Sequence, residues 1–289
     1  MKKVIINKDT LLGFNNSKFR MSTITINIFL ILLAVICVLP FYMMIINATH
    51  SNGEITKGLN LIPGKYLIDN YIRMSASTNI WGGFFNSLII AVSSTALNAY
   101  FSALTAYGFS KYKFKGNNLL FMFVLGTMMI PGQLGLIGFF QLNKILGTLN
   151  TFIPLIIPSI ATAGTVFFIK QYMDSSIPNT LIEAARIDGC SEFRTFNKII
   201  LPLVTPCIAT ISIFNFVGSW NNFLVPMVLL FDKDMFTLPI LIANLRGVYA
   251  RDFGATYLGI AISVVPIMIV FACLSKYILG GLTMGSVKE

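Results

Sequence analysis

The chain has 289 residues, of which 55% are hydrophobic and only 11% are charged. An average soluble domain carries about 25% charged residues, so this composition excludes a water-soluble globular protein and favours a membrane protein. The net charge of +10 does not indicate nucleic-acid binding, because no aqueous domain gathers basic and aromatic side chains. The four cysteines lack the spacing of a metal site or a disulfide framework, so no metal site is predicted.

Six long runs of the sequence contain no Asp, Glu, Lys or Arg, and each is at least 23 residues long. The runs are residues 21–53, 74–110, 116–143, 145–169, 199–231 and 253–275. About 20 helical residues cross the hydrocarbon core of a bilayer. The runs lack the alternation of barrel strands, so their backbone can be satisfied in lipid only by helices. The sequence therefore predicts an all-α integral membrane protein with six transmembrane helices.

In chain order, the predicted helices cover residues 24–46, 84–110, 118–140, 151–172, 202–230 and 254–275. The second is rich in alanine and serine, and small residues allow close helix packing in lipid, so we expect it inside the bundle. Prolines mark places where a helix can bend, either as a fixed kink or as a gating hinge. These prolines are Pro40, Pro131, Pro154, Pro158 and Pro266.

Basic residues are distributed unevenly between the two sides of the predicted bundle. An even number of spans places 14 Lys and Arg residues on the side of both termini and 7 on the other side. The positive-inside rule then predicts that both termini are cytoplasmic. The predicted organisation is a basic cytoplasmic tail (residues 1–20), a six-helix transmembrane domain (21–280) with a cytoplasmic loop (175–202), and a cytoplasmic C-terminal tail (281–289).

The predicted fifth helix carries four polar or aromatic residues at membrane depth: Asn215, Trp220, Asn221 and Asn222. Polar amides in such positions usually face the protein interior or a water-filled cavity. They form either an interhelical hydrogen-bond cluster or part of a translocation path, and both alternatives remain open at this point.

The polar stretch between the fourth and fifth spans predicts two short helices joined at a glycine. Pro178 suits the first turn of a helix, and Gly189 can end that helix in the left-handed conformation. Ser191 can cap a second helix, which we expect to run to Leu201, so that Pro202 opens the next span.

The first of these helices offers a surface on which another protein could dock. Ala184 and Ala185 would share one small-residue side that allows close approach, and Glu183 can pair with Arg186 or with a partner. The alternative is an interfacial loop that only reconnects two spans.

The spacing of this stretch resembles a known family. Glu183-Ala184-Ala185, then Gly189, then Ile199-x-Leu201-Pro202 reproduces the EAA signature of membrane subunits of bacterial binding-protein-dependent ABC importers. The segments 219–223 and 281–288 resemble the carbohydrate branch of that family, specifically the small subunit of maltose-permease type. Asn222 departs from the pattern, because many relatives carry glutamate there.

The resemblance implies a type I ABC importer permease fold in the bacterial cell membrane. It implies that the EAA loop is a coupling helix that docks in a cytoplasmic ATPase, and that the C-terminal tail contacts this ATPase. The implied coupling residues are Glu183, Ala184, Ala185, Arg186, Asp188 and Gly189; the implied tail residues are Thr283, Gly285 and Lys288. The implied partners are a second homologous permease, two ATPase subunits, an extracytoplasmic solute-binding protein and the sugar.

The function expected from this resemblance is non-enzymatic transport of a sugar, favouring an oligosaccharide, by alternating access. The sequence has no Gly-x-x-x-x-Gly-Lys-Ser/Thr phosphate loop, so ATP and Mg²⁺ are expected in the partner ATPase and no cofactor in this chain. Trp220 or Tyr107 could stack on a sugar ring, or Trp220 could serve packing. The alternatives are a permease for a non-sugar solute, a structural membrane protein, and an ion-coupled transporter, which generally needs ionisable residues at membrane depth.

Overall fold

The computed structural model describes residues 16–245 and 252–284, with side chains described for residues 23–245 and 252–277. Fourteen α-helices occur in these parts of the chain: α1 (Asn16–Asn47), α2 (Asn52–Lys57), α3 (Leu67–Ser77), α4 (Ile80–Lys111), α5 (Asn117–Thr127), α6 (Leu136–Ile145), α7 (Ile153–Ile156), α8 (Ala163–Ser176), α9 (Asn179–Ile187), α10 (Glu192–Thr195), α11 (Leu201–Trp220), α12 (Leu224–Leu229), α13 (Leu238–Asn244) and α14 (Phe253–Met284).

Five helical stretches are long and apolar enough to cross a membrane, and they comprise residues 23–47, 80–111, 153–176, 192–220 and 253–277. The third predicted span is instead a broken pair, Asn117–Thr127 and Gly132–Ile145, which meet at 86°. Pro131 lies in the break, and a proline cannot donate the backbone hydrogen bond that would continue the helix. The prediction of an all-α membrane protein is confirmed, with six spans if the bent pair counts as one.

Helix α4 lies inside the bundle and packs against α8, α11 and α13. Its buried side consists mainly of small residues: Gly83, Ser87, Ala91, Ser94, Asn98, Ser102, Ala103 and Ala106. Because apolar burial gives no driving force between helices in lipid, close backbone approach and interhelical hydrogen bonds must supply the stability. The predicted interior position of this span is confirmed.

The bundle has two ends with separate buried clusters. At one end Lys111 contacts Ile177, so the turn after α4 and the loop around α9 lie together; we name this the loop end. The cluster there includes Ile169, Met173 and Phe196. The opposite end carries α3, α13 and the start of α14 around Met74.

The boundaries of the fifth span differ from the prediction. The helix expected to end at Leu201 is continuous with the span, which runs from Glu192 to Trp220, and α12 is a separate helix beyond its end. A π-helical turn, Phe196–Ile200, lies directly before Pro202. The wider turn occurs where a regular helix would need the N–H that proline lacks, so the chain continues without a break.

Candidate functional site

Helix α9 forms as its local sequence predicts. It begins directly after Pro178 and ends at Ile187, two residues before Gly189, which has φ +73°. The amide of Gly189 donates to the carbonyl of Arg186 (3.0 Å), so the last turn is closed by a residue in the left-handed region. The hydroxyl of Ser191 accepts a hydrogen bond from the amide of Arg194 (3.4 Å), which confirms the predicted cap of the next helix.

Helix α9 buries one side and exposes the other. Ile182 and Ala185 are buried, whereas Glu183 and Ala184 are exposed and Ile187 keeps 86% of its surface. The expectation that the two alanines share one exposed side is therefore wrong. Neighbouring helical residues point about 100° apart, and Ala185 is the one that packs inward.

Arg186 pairs with a residue outside its own helix. Its Nε atom donates to Glu192 Oε1 at 2.8 Å, and this charge-assisted bond raises the pKa of the guanidinium. Glu192 also accepts hydrogen bonds from the hydroxyls of Tyr107 (3.3 Å) and Tyr112. Glu183, one of the two partners considered for Arg186, has no hydrogen bond or ion pair with any described residue. Its carboxylate and that of Asp188 therefore face outward beside Ile187.

A second group of polar residues lines a cavity of about 290 Å³ between α4, the chain before α8, and α11. An adjoining cavity of about 520 Å³ shares Leu155, Ser159, Thr162 and Asn222 with it. The lining of the smaller cavity is Ser94, Thr95, Asn98, Leu155, Ser159, Thr162, Phe214, Asn215, Gly218, Ser219 and Asn222. Among the described residues that line the two cavities, none has an ionisable side chain.

Two asparagines connect three walls of the smaller cavity. Asn98 is 2% exposed, and its Nδ2 atom donates to the carbonyl of Ser159 (2.5 Å) and to Thr162 Oγ1 (3.1 Å). Asn215 Nδ2 donates to Asn98 Oδ1 (2.7 Å) and to Thr165 Oγ1 (3.2 Å). Asn215 therefore belongs to an interhelical hydrogen-bond cluster and also lines a cavity. Its place in a translocation path stays a prediction.

Trp220 and Asn221 lie away from this cavity, on the side facing α13 and α14. Trp220 is 1% exposed, and its indole nitrogen donates to the carbonyl of Ser263 at 3.0 Å. Its ring stacks on Phe216 at a centroid distance of 5.9 Å, so it serves packing. Tyr107 is buried at the loop end against Glu192 and lines neither cavity. Of the four predicted path residues, the structure brings Asn215 and Asn222 together at the smaller cavity and Trp220 and Asn221 together at a separate cavity.

The remaining predicted positions concern the C-terminal tail and metal binding. The backbone of Thr283 belongs to α14, and Gly285 and Lys288 lie outside the described residues. Within residues 16–245 and 252–284, no three His, Cys, Asp or Glu side chains are grouped in a way that could hold a metal ion.

Sequence reasoning missed Asn98 and Glu192 as members of these sites. Asn98 could have been recognised, because an amide in a span otherwise composed of small and apolar residues usually faces protein or water. Glu192 lies in the first turn of α10, where a carboxylate suits the helix dipole. Its contacts with α9 and with the end of α4 arise from tertiary packing, for which the sequence gives no local signal.

The match to a family model decides which group of proteins the chain resembles. Residues 98–282 match the model described as the binding-protein-dependent transport system inner membrane component. The chain belongs to this family. The matched region contains α9, Asn98, Asn215 and the cavity lining except Ser94 and Thr95. The predicted family and membrane localisation are therefore confirmed.

Individual relatives match the permease over nearly its whole length. It is 33% identical over 278 residues to the arabinooligosaccharides transport system permease protein AraQ of Bacillus subtilis, covering 95% of this chain and 99% of the relative. It is 33% identical over 264 residues to the diacetylchitobiose uptake system permease protein NgcG of Streptomyces coelicolor, covering 90% and 87%. It is 34% identical over 263 residues to the trehalose/maltose transport system permease protein MalG of Thermococcus litoralis, covering 89% and 94%.

A solved structure shares the fold of the permease. A chain in the crystal structure of a bacterial ABC transporter involved in the import of the acidic polysaccharide alginate superposes with a TM-score of 0.76. The two chains are 21% identical, and the match covers 95% of this chain and 99% of the other. The predicted importer permease fold is confirmed.

Proposed function

We propose that this permease is one of two homologous membrane subunits of an ATP-driven importer that brings a neutral oligosaccharide into the cell. The relatives named above are permeases for arabinooligosaccharides, diacetylchitobiose, and trehalose or maltose. Each of these cargoes is built from sugar units, which supports a carbohydrate. An extracytoplasmic solute-binding protein would deliver the cargo, and the two permeases would expose the path alternately to each side of the membrane.

Energy would enter through α9. In this proposal the loop end faces the cytoplasm, and the outward side of α9 docks on a separate ATPase that holds ATP and Mg²⁺. The observation that carries the proposal is the composition of that side: an apolar residue, Ile187, and a carboxylate without a partner in the described chain, Glu183, lie next to each other. Burial of Ile187 and pairing of Glu183 with a basic residue would both favour binding.

The cargo would pass the cavities lined by Asn215 and Asn222. Sugar hydroxyls donate and accept hydrogen bonds, and amide and hydroxyl side chains complement them without charge. A carboxylated sugar would lose hydration on entering a lining whose described residues include no cation to pair with it. This difference favours a neutral cargo over an acidic one, while a neutral non-sugar solute is the alternative that transport assays must exclude.

The coupling proposal is tested by co-purification of the tagged permease with the ATPase subunit that the wild-type permease recovers from its own cells. Glu183→Lys places a cation where a basic partner is expected, so we predict loss of the ATPase from the tagged permease and loss of uptake. Asp234→Lys is the matched control, since it makes the same charge change on an exposed residue at the opposite end of the bundle. Retention of the ATPase and of uptake in the Glu183 variant would contradict the proposal.

A further inference from the structure

The two ends of α9 are both attached to the C-terminal end of α4. At the start of α9, Lys111 Nζ donates to the carbonyl of Ile177 at 2.6 Å and to Asn179 Oδ1 at 3.4 Å. Lys111 is the last residue of α4. The Lys111 side chain therefore holds the backbone that leads into α9 and helps to set the direction in which α9 starts.

At the other end of α9, Glu192 connects the helix to the same region. It accepts hydrogen bonds from Arg186 in the last turn of α9, from Tyr107 in α4, and from Tyr112 directly after α4. The guanidinium of Arg186 also lies 5.6 Å from the centre of the Tyr112 ring, within the range of a cation–π contact. We name Lys111, Tyr112, Arg186 and Glu192 the α9 clamp.

The apolar contacts of α9 alone leave its direction weakly defined. Only Ile182 and Ala185 are buried among its nine residues, and both lie in its middle. Two neighbouring anchors allow a short helix to pivot about them. The clamp contacts lie on both sides of these anchors and restrict that pivot, so the direction of α9 follows the direction of α4.

Helix α4 leads from the clamp to the cavity. Asn98 and Ser94 lie 13 and 17 residues before Lys111 in one uninterrupted helix, a distance of about 20–25 Å at 1.5 Å per residue. Their side chains form part of the cavity wall, and Asn98 carries the hydrogen bonds that join this wall to α11 and to Ser159. A displacement of the end of α4 would therefore reach the cavity lining through one rigid element.

We propose that the α9 clamp residues are positioning residues that transmit movement of the docked α9 to α4 and hence to the cavity wall. This inference rests on the proposed function. An exposed ion pair such as Arg186–Glu192, with both side chains 47% exposed, contributes little to stability. Its role would lie in coupling. Without the clamp contacts, the ATPase stays bound and hydrolyses ATP, but each round of hydrolysis moves the cavity wall less and so transports less cargo.

The test measures uptake and ATP hydrolysis together in the complete reconstituted importer. For the double variant Lys111→Met with Glu192→Gln we expect normal recovery of the ATPase and a fall in the ratio of uptake to hydrolysis of about fivefold or more, the scale of typical coupling between sites. When Lys111→Arg takes the place of Lys111→Met, the side chain keeps a hydrogen-bond donor. The ratio of uptake to hydrolysis should then return much of the way to the wild-type value. Lys113→Met and Arg194→Gln are the controls, because both change an exposed charge nearby that makes no side-chain hydrogen bond with the described residues.

The outcomes separate the clamp from the proposed function. If the wild-type complex shows no ATP-linked uptake, the proposed function fails. If it does, and the double variant keeps the wild-type ratio, or the controls lower the ratio equally, the clamp is refuted. Should the double variant not assemble, Tyr112→Phe removes only one hydroxyl from Glu192 and must still lower the ratio; an unchanged ratio in that variant refutes the clamp.

Discussion

Replacing Asn98 by leucine tests whether the amide network holds the cavity walls together. The two side chains have the same number and branching of heavy atoms, so the change removes hydrogen bonds without opening a gap. It deletes two bonds donated by Asn98, to Ser159 and Thr162, and one accepted from Asn215. Thr162 and Asn215 each keep another bond to Thr165, so neither is left without a partner.

The expected loss follows from these three bonds. Interhelical hydrogen bonds in membranes contribute about 0.6 kcal/mol each on average, which gives about 2 kcal/mol for the set. The value for soluble proteins, about 1 kcal/mol per bond, would give about 3 kcal/mol. We prefer the lower figure, because a helix that is unfolded within a membrane also finds hydrogen-bond partners. A loss of about 2 kcal/mol corresponds to a fall in Tm of about 3 °C for 289 residues, at an unfolding entropy of about 2.1 cal/mol/K per residue.

Thermal unfolding of the purified permease in detergent measures this loss. Thr105→Val is the matched control on the same helix, since its hydroxyl bonds only to Phe101 in its own turn. Combining Asn98→Leu with Asn215→Leu should cost less than the sum of the single variants, because the two residues share a hydrogen bond. A Tm for Asn98→Leu equal to that of the control, or strictly additive losses, would refute the network.

Two further predictions concern the end of the bundle that carries α3, α13 and the start of α14. Gly254→Ala should destabilise the permease by about 1–3 kcal/mol. The added Cβ atom would lie 2.6 Å from Cγ of Asn70, which is fully buried and hydrogen-bonded. The matched variant Gly108→Ala has open space around the added atom and should stabilise the permease by about 0.5–1 kcal/mol. A thermal shift assay of both variants would contradict this packing if their Tm values moved together. Burial would raise the pKa of Asp252, but hydrogen bonds from Arg73 and from a backbone amide outweigh it and hold the pKa below the usual range. The stabilisation is therefore present above about pH 4 and is lost as the pH falls through the lowered value. Asp252→Asn should lower Tm at neutral pH and converge with wild type in acid, and a constant difference would show that the charge is not responsible.

The sequence predicts the spans well because hydrocarbon imposes a simple rule on composition and length. The rule does not detect breaks inside an apolar run. Residues 116–143 satisfy it, yet the chain bends by 86° around Pro131. Pro40 lies inside a continuous α1. The two prolines differ in surroundings: Pro131 is followed by glycines at positions 132 and 135, which favour other backbone conformations, and Pro40 is followed by aromatic and apolar residues.

The local geometry of the loop was predictable, and its contacts were not. Gly189 and Ser191 act through their own backbone surroundings, so their roles as helix stop and cap follow from the residue types. The sequence offered Glu183 as one partner of Arg186, because both lie in one helix, and a second protein as the other. Packing of α9 against the start of the next helix brings Glu192 closer, and no spacing rule within a helix contains that information.

For the cavity residues too, the sequence predicted the environment that suits each residue type but not where each side chain lies. Amides at membrane depth indicated an interior or wet position, and this holds for Asn215 and Asn222. The sequence could not separate them from Trp220 and Asn221, because α11 ends at Trp220 and the chain turns there. The turn points Asn221 and Asn222 to different sides of the bundle.

The central claim is that a separate ATPase drives a neutral oligosaccharide through this permease. The most direct measurement is uptake of labelled oligosaccharides into proteoliposomes containing both permeases, the ATPase and the binding protein, with ATP supplied on the ATPase side. We predict ATP-dependent uptake of a neutral oligosaccharide, weaker uptake of a uronic-acid oligosaccharide of equal length, and none with Glu183→Lys. Uptake that continues without ATP, follows an ion gradient, or persists in the Glu183 variant would contradict the account.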